Sequence, residues 1–461
     1  MQKNTKRLIA AALAAAVLGG AYAALLRSPD PKEEQNYETA SLTDIANGSL
    51  QSVQCTLRDG EQYFLTFATD DSGTTYTMSG EDLDYSSSLM QELMDAASSI
   101  SGRVVETDCS DLAKYGLSDS DETDTIVITD TDNNAVTLRI GTANDFGTYC
   151  TADDSTIVLL SEDTAQSLTR SQSYYRNLTI LGSYYSLSSE LETLTISSMS
   201  DGTEFSIARR DTSDIPTDAQ SAYSDFIITQ PITWAADDTA LSSGLLTDLQ
   251  SAMTANSIVT DKADDLSQYG LDSSAVQLHL TANNLDAVVL VGNTTDDGTY
   301  VKNQAQDTVY LCSSDSFAFL DEDWNTWRST ALFTCGLTEL ASVTVTQDDT
   351  THTVSVTQTP ADENEDSDTA KTTAELEDGT EIDASKLQQA LTSVNFVRTL
   401  SQPEEAQTAV SVSVTLTDGS THTLDFAKGG SREYLVSVDD GGYLYGVAQA
   451  DLDSILSAIT A

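Results

Sequence analysis

Basic residues are scarce in this chain. Its 461 residues include 21 Lys and Arg against 73 Asp and Glu, a formal net charge of −52. Neutralising phosphates takes Lys/Arg surfaces, so this balance excludes a nucleic-acid binder. It also gives the main body no attraction to an anionic lipid surface. Histidine is rarer still: His279, His352 and His422 stand far apart, each in an alternating apolar–polar pattern. Five cysteines (Cys55, Cys109, Cys150, Cys312 and Cys335) are widely spaced and form no C-x-x-C pair. That argues against a zinc knuckle or a dithiol redox motif. The chain also lacks a G-x-S-x-G elbow, an H-E-x-x-H pair, a Walker A loop and a G-x-G-x-x-G fingerprint. With 73 carboxylates, no single pair stands out for acid–base work. The sequence therefore supplies no catalytic residues, no cofactor and no metal site, and the expectation is a protein that is not an enzyme.

The acidic residues are spread along the whole length among many Ser and Thr. This reads as a solvated, self-repelling surface. Asp130-Thr131-Asp132-Asn133-Asn134 resembles the start of a calcium loop, but Ala135 stands where Gly is required and Gly141 where Glu is required. Asp and Asn are favoured in hairpin turns, so a turn is expected there.

Long apolar runs are absent except at the N-terminus. Lys3, Lys6 and Arg7 precede an uncharged run from Leu8 to Leu26. As a helix this run rises about 28 Å, close to the ~30 Å hydrocarbon core of a bilayer. Positive charge ahead of it places the N-terminus in the cytoplasm and the bulk of the chain outside. Cleavage after the A-x-A-like Ala21-Tyr22-Ala23 is the alternative. The run exceeds the ~7–15 residues of a signal-peptide core, which favours a retained single-pass anchor. Residues 1–26 are read as cytoplasmic tip and anchor, and residues 27–45 as a linker.

At ~100–200 residues per domain the length suggests about three domains, and an internal repeat agrees with this. Asp111-Leu112-Ala113-Lys114-Tyr115-Gly116-Leu117 recurs as Asp265-Leu266-Ser267-Gln268-Tyr269-Gly270-Leu271. At nearly the same offset, Ile140-Gly141 matches Val291-Gly292, Gly147-Thr148-Tyr149 matches Gly298-Thr299-Tyr300, and Tyr175-Arg176 matches Trp327-Arg328. The match also sets Cys150 opposite Val301 and Cys312 opposite Leu160. Cysteine thus takes apolar positions, and buried free thiols are expected.

Each unit opens with a hairpin: Val53–Phe67 turning at Asp59-Gly60, then Leu194–Ala208 turning at Asp201-Gly202. An amphipathic helix follows, carried by Leu89, Met90, Leu93, Met94 and Ala97, then by Leu245, Leu246, Leu249 and Met253. The Tyr-Gly-Leu corner, a second hairpin and two short strands close the unit. A degenerate third unit lacks the corner and has its helix at Leu387, Ala390, Leu391 and Val394. The expected fold is α+β: tandem units of antiparallel hairpins, each packed by one helix, after one transmembrane helix. The units are placed at residues 46–185, 186–335 and 336–461, with an acidic disordered insertion at 360–373. Tyr174-Tyr175, Tyr184-Tyr185, Trp324 and Trp327 are candidates for a carbohydrate-binding face, against a core role for aromatics beside strands.

The D-L-x-x-Y-G-L corner, the Ile/Val-Gly strand end and the Gly-Thr-Tyr strand resemble the uncharacterised bacterial family called domain of unknown function 4340. Tyr175-Arg176-Asn177-Leu178 and Trp327-Arg328-Ser329-Thr330 are similar to that family's Arg-containing stretch after the last strand. The resemblance offers no catalytic residues. It marks Tyr115, Gly116, Leu117, Tyr269, Gly270, Leu271, Gly141, Gly292, Arg176 and Arg328 as structural repeat positions. It also implies an accessory extracytoplasmic role at the cell membrane, beside ABC-type membrane subunits of the gliding-motility kind. From the residues alone, a binding module for an envelope glycan, peptide or cation stays open as the alternative.

Overall fold

A computed structural model describes residues 37–46, 48–70, 73–80, 83–359 and 371–460. The expected anchor at Leu8–Leu26 and residues 360–370 of the expected insertion lie outside these. Among the described residues, no helix is long and apolar enough to cross a membrane.

Among the described residues, twenty-seven strands form three nine-stranded sheets. The first contains β1 (Thr39–Ser41), β2 (Leu50–Thr56), β3 (Gln62–Asp70), β4 (Gly73–Met78), β5 (Ser101–Glu106), β6 (Asp124–Asp130), β7 (Ala135–Asn144), β8 (Gly147–Thr151) and β9 (Ile157–Leu160). The second contains β10 (Leu191–Ile196), β11 (Phe205–Arg209), β12 (Phe226–Gln230), β13 (Trp234–Ala235), β14 (Ser257–Thr260), β15 (Val276–Ala282), β16 (Leu285–Thr295), β17 (Gly298–Asn303) and β18 (Val309–Cys312). The third contains β19 (Leu340–Gln347), β20 (Thr350–Thr359), β21 (Lys371–Leu376), β22 (Glu381–Ile382), β23 (Phe396–Glu404), β24 (Thr408–Leu416), β25 (Thr421–Lys428), β26 (Glu433–Val438) and β27 (Tyr443–Ala448). All strand pairs are antiparallel.

The three sheets share one strand order. Setting aside β1, β13 and β22, they read β4-β3-β2-β6-β7-β8-β9-β5, β12-β11-β10-β15-β16-β17-β18-β14 and β21-β20-β19-β24-β25-β26-β27-β23. The third unit, degenerate in sequence, is thus complete in topology. The chain divides into two compact units, one ending at Asn177 and the other running from Leu178 to Ala461. The second unit holds the second and third sheets.

The expected hairpins and helices form where the pattern placed them. Helix Ser87–Ser98 buries Met90, Leu93, Met94 and Ala97, and the Ser86 hydroxyl caps it by accepting from Leu89 N–H. Its counterpart runs through Asp238–Ala240, a π turn at Leu241–Leu245, and Leu246–Ala252, and buries Leu245, Leu246 and Leu249. The third helix, Ala384–Thr392, buries Leu387, Ala390 and Leu391 under an Asp383 cap. Each helix shares an apolar core with one face of its own sheet. The calcium-like segment is a turn: the Asp130 carboxylate accepts from the N–H groups of Asp132 and Asn134 at 2.9 and 2.8 Å.

Three expectations need correction. The units are nine-stranded sheets and not two hairpins with two added strands, because β4, β12 and β21 extend the first hairpin, β5, β14 and β23 follow the helices and pair with the closing strand, and β1, β13 and β22 each add a ninth strand at an edge. The first and third repeats carry a second helix, Glu162–Leu168 and Gln449–Ile459. The former is too short to show a period, and the latter starts at Ala448, which has no capping side chain. Finally, β21 begins at Lys371, so residues 371–373 belong to a strand.

One turn makes the fold sensitive to acid. The Asp153 carboxylate accepts from Ser155 N–H at 2.9 Å, Thr156 N–H at 2.7 Å and the Thr156 hydroxyl at 2.9 Å. These donors, the Thr156 N–H foremost, hold its carboxyl down at about 2. A folded value below the unfolded ~3.9 gives stability that is complete above ~3.9 and lost as pH falls toward it. Asp153→Ala is therefore expected to melt below the parent at neutral pH, with the gap closing between about pH 4 and pH 2. Circular-dichroism melts across that range check it; a gap independent of pH would contradict the assignment.

Candidate functional site

The predicted corner residues come together as two clusters of the same build. A single 3-10 turn, Leu112–Tyr115, ends at Gly116 with φ +66°, and its twin Ser267–Tyr269 ends at Gly270 with φ +67°. This left-handed conformation costs a side-chain-bearing residue and leaves glycine free. Leu117 N–H then donates to Leu112 O, and Leu271 N–H to Leu266 O, each at 3.0 Å. The corner lies directly on the second hairpin. A Cβ on Gly141 would stand 2.5 Å from Tyr115 O, and Gly292 meets Tyr269 O in the same way. The Tyr115 ring packs edge-on to Tyr149 at 4.8 Å, and Tyr269 to Tyr300 at 5.0 Å. Ile157 joins the corner cluster while Val158 and Leu160 join the main core, so the corner covers the sheet face opposite the helix. These clusters fix backbone.

Arg176 and Arg328 occupy matching places on a segment that leaves each sheet. The aromatic before each is buried: Tyr175 lies 5.9 Å from the Tyr63 ring, and Trp327 5.0 Å from Phe205. The segment then runs antiparallel to the residues that begin the helix. Ser86 N–H donates to Tyr175 O and Asn177 N–H to Asp84 O; Asp237 N–H donates to Trp327 O and Ser329 N–H to Ala235 O. The two arginines meet different surroundings. Arg176 is half-buried and donates through Nε to Asp84 O at 3.1 Å. Arg328 is 5% exposed. Its guanidinium carbon lies 4.7 Å from the Trp234 ring, 4.4 Å from Phe396 and 5.4 Å from Tyr445. Nη1 reaches Asn325 Oδ1 at 3.4 Å, while Nε and Nη2 have no hydrogen-bond partner. Burial holds its pKa below the usual guanidinium value. Trp234 belongs to the second sheet and Phe396 and Tyr445 to the third, so this aromatic cage joins the two sheets of the second unit.

Sequence reasoning missed the ion pair at the first hairpin turn. Asp124 is buried and takes Arg58 N–H at 2.8 Å and Arg58 Nε at 3.0 Å, while Arg58 Nη2 also reaches Gly141 O at 3.2 Å. Strand register alone joins these distant residues, and no local motif announces them. Lys302 is buried too, with Nζ donating to Asn303 O and Gln306 O, and burial lowers its pKa. All five cysteines are free and buried, as the repeat positions of Cys150 and Cys312 led one to expect. Burial pushes Cys55, Cys150, Cys312 and Cys335 up to about 12, far from thiolate formation.

His279 pairs with Asp286 at 2.7 Å and His422 with Asp439 at 3.0 Å, on exposed positions of separate sheets. Among the described residues, no group of three or more His, Cys, Asp or Glu is placed to hold a metal ion. The candidate sugar-binding aromatics mostly serve the cores: Tyr175 and Trp327 are buried, Tyr174, Tyr185 and Trp324 pack against core clusters, and Tyr184 alone is 76% exposed. A groove of about 890 Å³ in the third repeat is open and runs past Asp348, Asp349, Glu404, Glu405 and Lys428.

The family described as Domain of unknown function (DUF4340) matches residues 77–250 and again residues 227–411. The chain belongs to this family. The two DUF4340 matches begin in corresponding strands, β4 and β12, and so follow the structural repeat. Each begins in one repeat and ends in the next, so the DUF4340 frame is offset from the sheets. No curated protein and no solved structure matches the chain.

Two outcomes follow for this DUF4340 protein. Gly116→Val and Gly270→Val each combine left-handed strain with a Cβ pressed onto Thr142 or Asn293, and are expected to cost about 2–5 kcal/mol. Urea unfolding measures this, and parental midpoints for both would overturn the account of the corner. Arg328→Ala empties the aromatic cage and is expected to cost about 2–4 kcal/mol. Arg328→Met keeps the volume and removes the unpaired charge, so it should stay within about 1 kcal/mol of the parent or exceed it. Equal losses in both variants would show that the charge itself holds the sheets together.

Proposed function

We propose that this DUF4340 protein is a non-catalytic, membrane-anchored, extracytoplasmic interaction protein, an accessory subunit of an ABC-type transport or envelope complex of the gliding-motility kind. The observation that carries the reading is the tandem of three sheets with one strand order, following in sequence the Leu8–Leu26 run and its basic flank. Tandem repeats provide extended surfaces suited to protein contacts. The acidic surface supports the same reading, since it favours solubility and a partner carrying positive charge. A second reading is a binding module for an envelope glycan, peptide or cation, favoured by the open, acid-lined groove on the third sheet.

Cross-linking in native membranes, followed by purification of the full-length protein and mass spectrometry, tests the first reading. Expected is co-recovery of ABC-type membrane subunits with an uncut N-terminus. Recovery of the protein alone from the soluble fraction, cut after Ala23, would overturn it and leave the binding module as the better reading.

A further inference from the structure

The two guanidinium nitrogens of Arg328 that lack a partner, Nε and Nη2, lie on one edge of the group. This is an edge with which arginine grips a carboxylate through two parallel hydrogen bonds. The third nitrogen, Nη1, reaches only Asn325 Oδ1 at 3.4 Å. Burying a cation without its hydrogen bonds is costly. The chain has 73 Asp and Glu, yet among the described residues no carboxylate pairs with this arginine.

The matching place in the first repeat carries an acid. The bridges Tyr85–Arg176 and Ala236–Arg328 align the two segments, so Ala235 stands where the first repeat has Asp84. Asp84 accepts from Arg176 Nε through its backbone carbonyl at 3.1 Å and from the Asn177 side-chain amide through its carboxylate at 3.0 Å. In the second repeat a methyl group replaces that carboxylate, and aromatic rings surround the arginine instead. The Tyr445 ring lies 5.4 Å from Trp234 and 5.5 Å from Phe396. The cage is shallow, since Trp234 and Phe396 are half-buried and Asn325 is exposed. Trp234 is tied down, its Nε1 donating to Ser329 O at 2.9 Å. Phe396 has no such tie, and it stands beside a break in the register of β23 with β27. Phe396 is therefore the wall that can turn aside.

We propose that Arg328 is the binding site of a small organic monocarboxylate. The carboxylate accepts from Nε and Nη2, and the ligand's apolar body lies against Trp234 and Tyr445 once the Phe396 ring swings outward. Two open donors match one carboxylate; a phosphate carries more charge and more oxygens than these donors satisfy. Exclusion of water strengthens such a pair. This inference goes beyond the proposed function and rests on neither of its readings.

Benzoate probes the site in the purified full-length protein by titration calorimetry, with benzamide as its uncharged counterpart and phosphate as a second oxyanion. Saturable binding of benzoate is expected, tighter than that of benzamide by about tenfold or more, as for hydrogen bonds to a charged group. Arg328→Lys keeps the charge and loses the fork, so it should weaken benzoate by about tenfold or more. Arg328→Met should abolish binding, with a parental circular-dichroism spectrum showing that the fold is kept. If that variant fails to fold, the lysine variant and the benzamide comparison decide. No saturable binding up to about 10 mM, equal affinity for benzamide, undiminished binding by either variant, or phosphate binding tighter than benzoate would each overturn the assignment.

Discussion

Each sheet must cover a wide apolar face with short helices, and in the first two repeats a single aromatic side chain completes the cover. Tyr175 and Trp327 reach back over strands laid down more than a hundred residues earlier; Tyr63 also donates its hydroxyl to Arg170 O, 107 positions along. The same few residues then supply the strand that holds the start of the helix. One segment thus plugs the core, fixes the helix entry and leaves the sheet. This is why Arg328, the next residue, ends up between sheets: its position follows from the burial of Trp327. In the third repeat a longer helix, Gln449–Ile459, lies on the core of its sheet through Leu452, Ile455, Ala458 and Ile459.

Much of the fold was legible because its signals are local. Asp59-Gly60 and Asp201-Gly202 turn hairpins, the stripe Met90, Leu93, Met94 and Ala97 faces a core, and Gly116 and Gly270 sit in the left-handed conformation the corner needs. The strands that follow the helices were not legible. β5 places Val104 and Val105 side by side, so neither alternation nor helical spacing is evident. The cage around Arg328 drew on Trp234, Phe396 and Tyr445, three residues linked only by the meeting of two sheets. Arg58 and Asp124 likewise find each other through register, which no spacing rule encodes.

The third repeat shows how the corner and its seat depend on each other. Register places Ala427 where Gly141 stands in the first repeat, since Ile140 pairs with Cys150 and Phe426 with Val436. In the first two repeats a methyl group there would meet a corner carbonyl. The third repeat has no Tyr-Gly-Leu corner, and Leu400 and Ala406 pack beside Ala427 instead. The lost corner and the gained methyl group are one change seen from two sides, and the strand order survives it.

The five buried thiols have a consequence for where such a chain folds. None is bonded to another, none lies at the surface, and four are pushed far from ionisation. Nothing that holds the sheets together is made or broken by electron transfer. The same native state is therefore available in a reducing compartment and in an oxidising one, and delivery from one to the other needs no disulfide-forming catalyst.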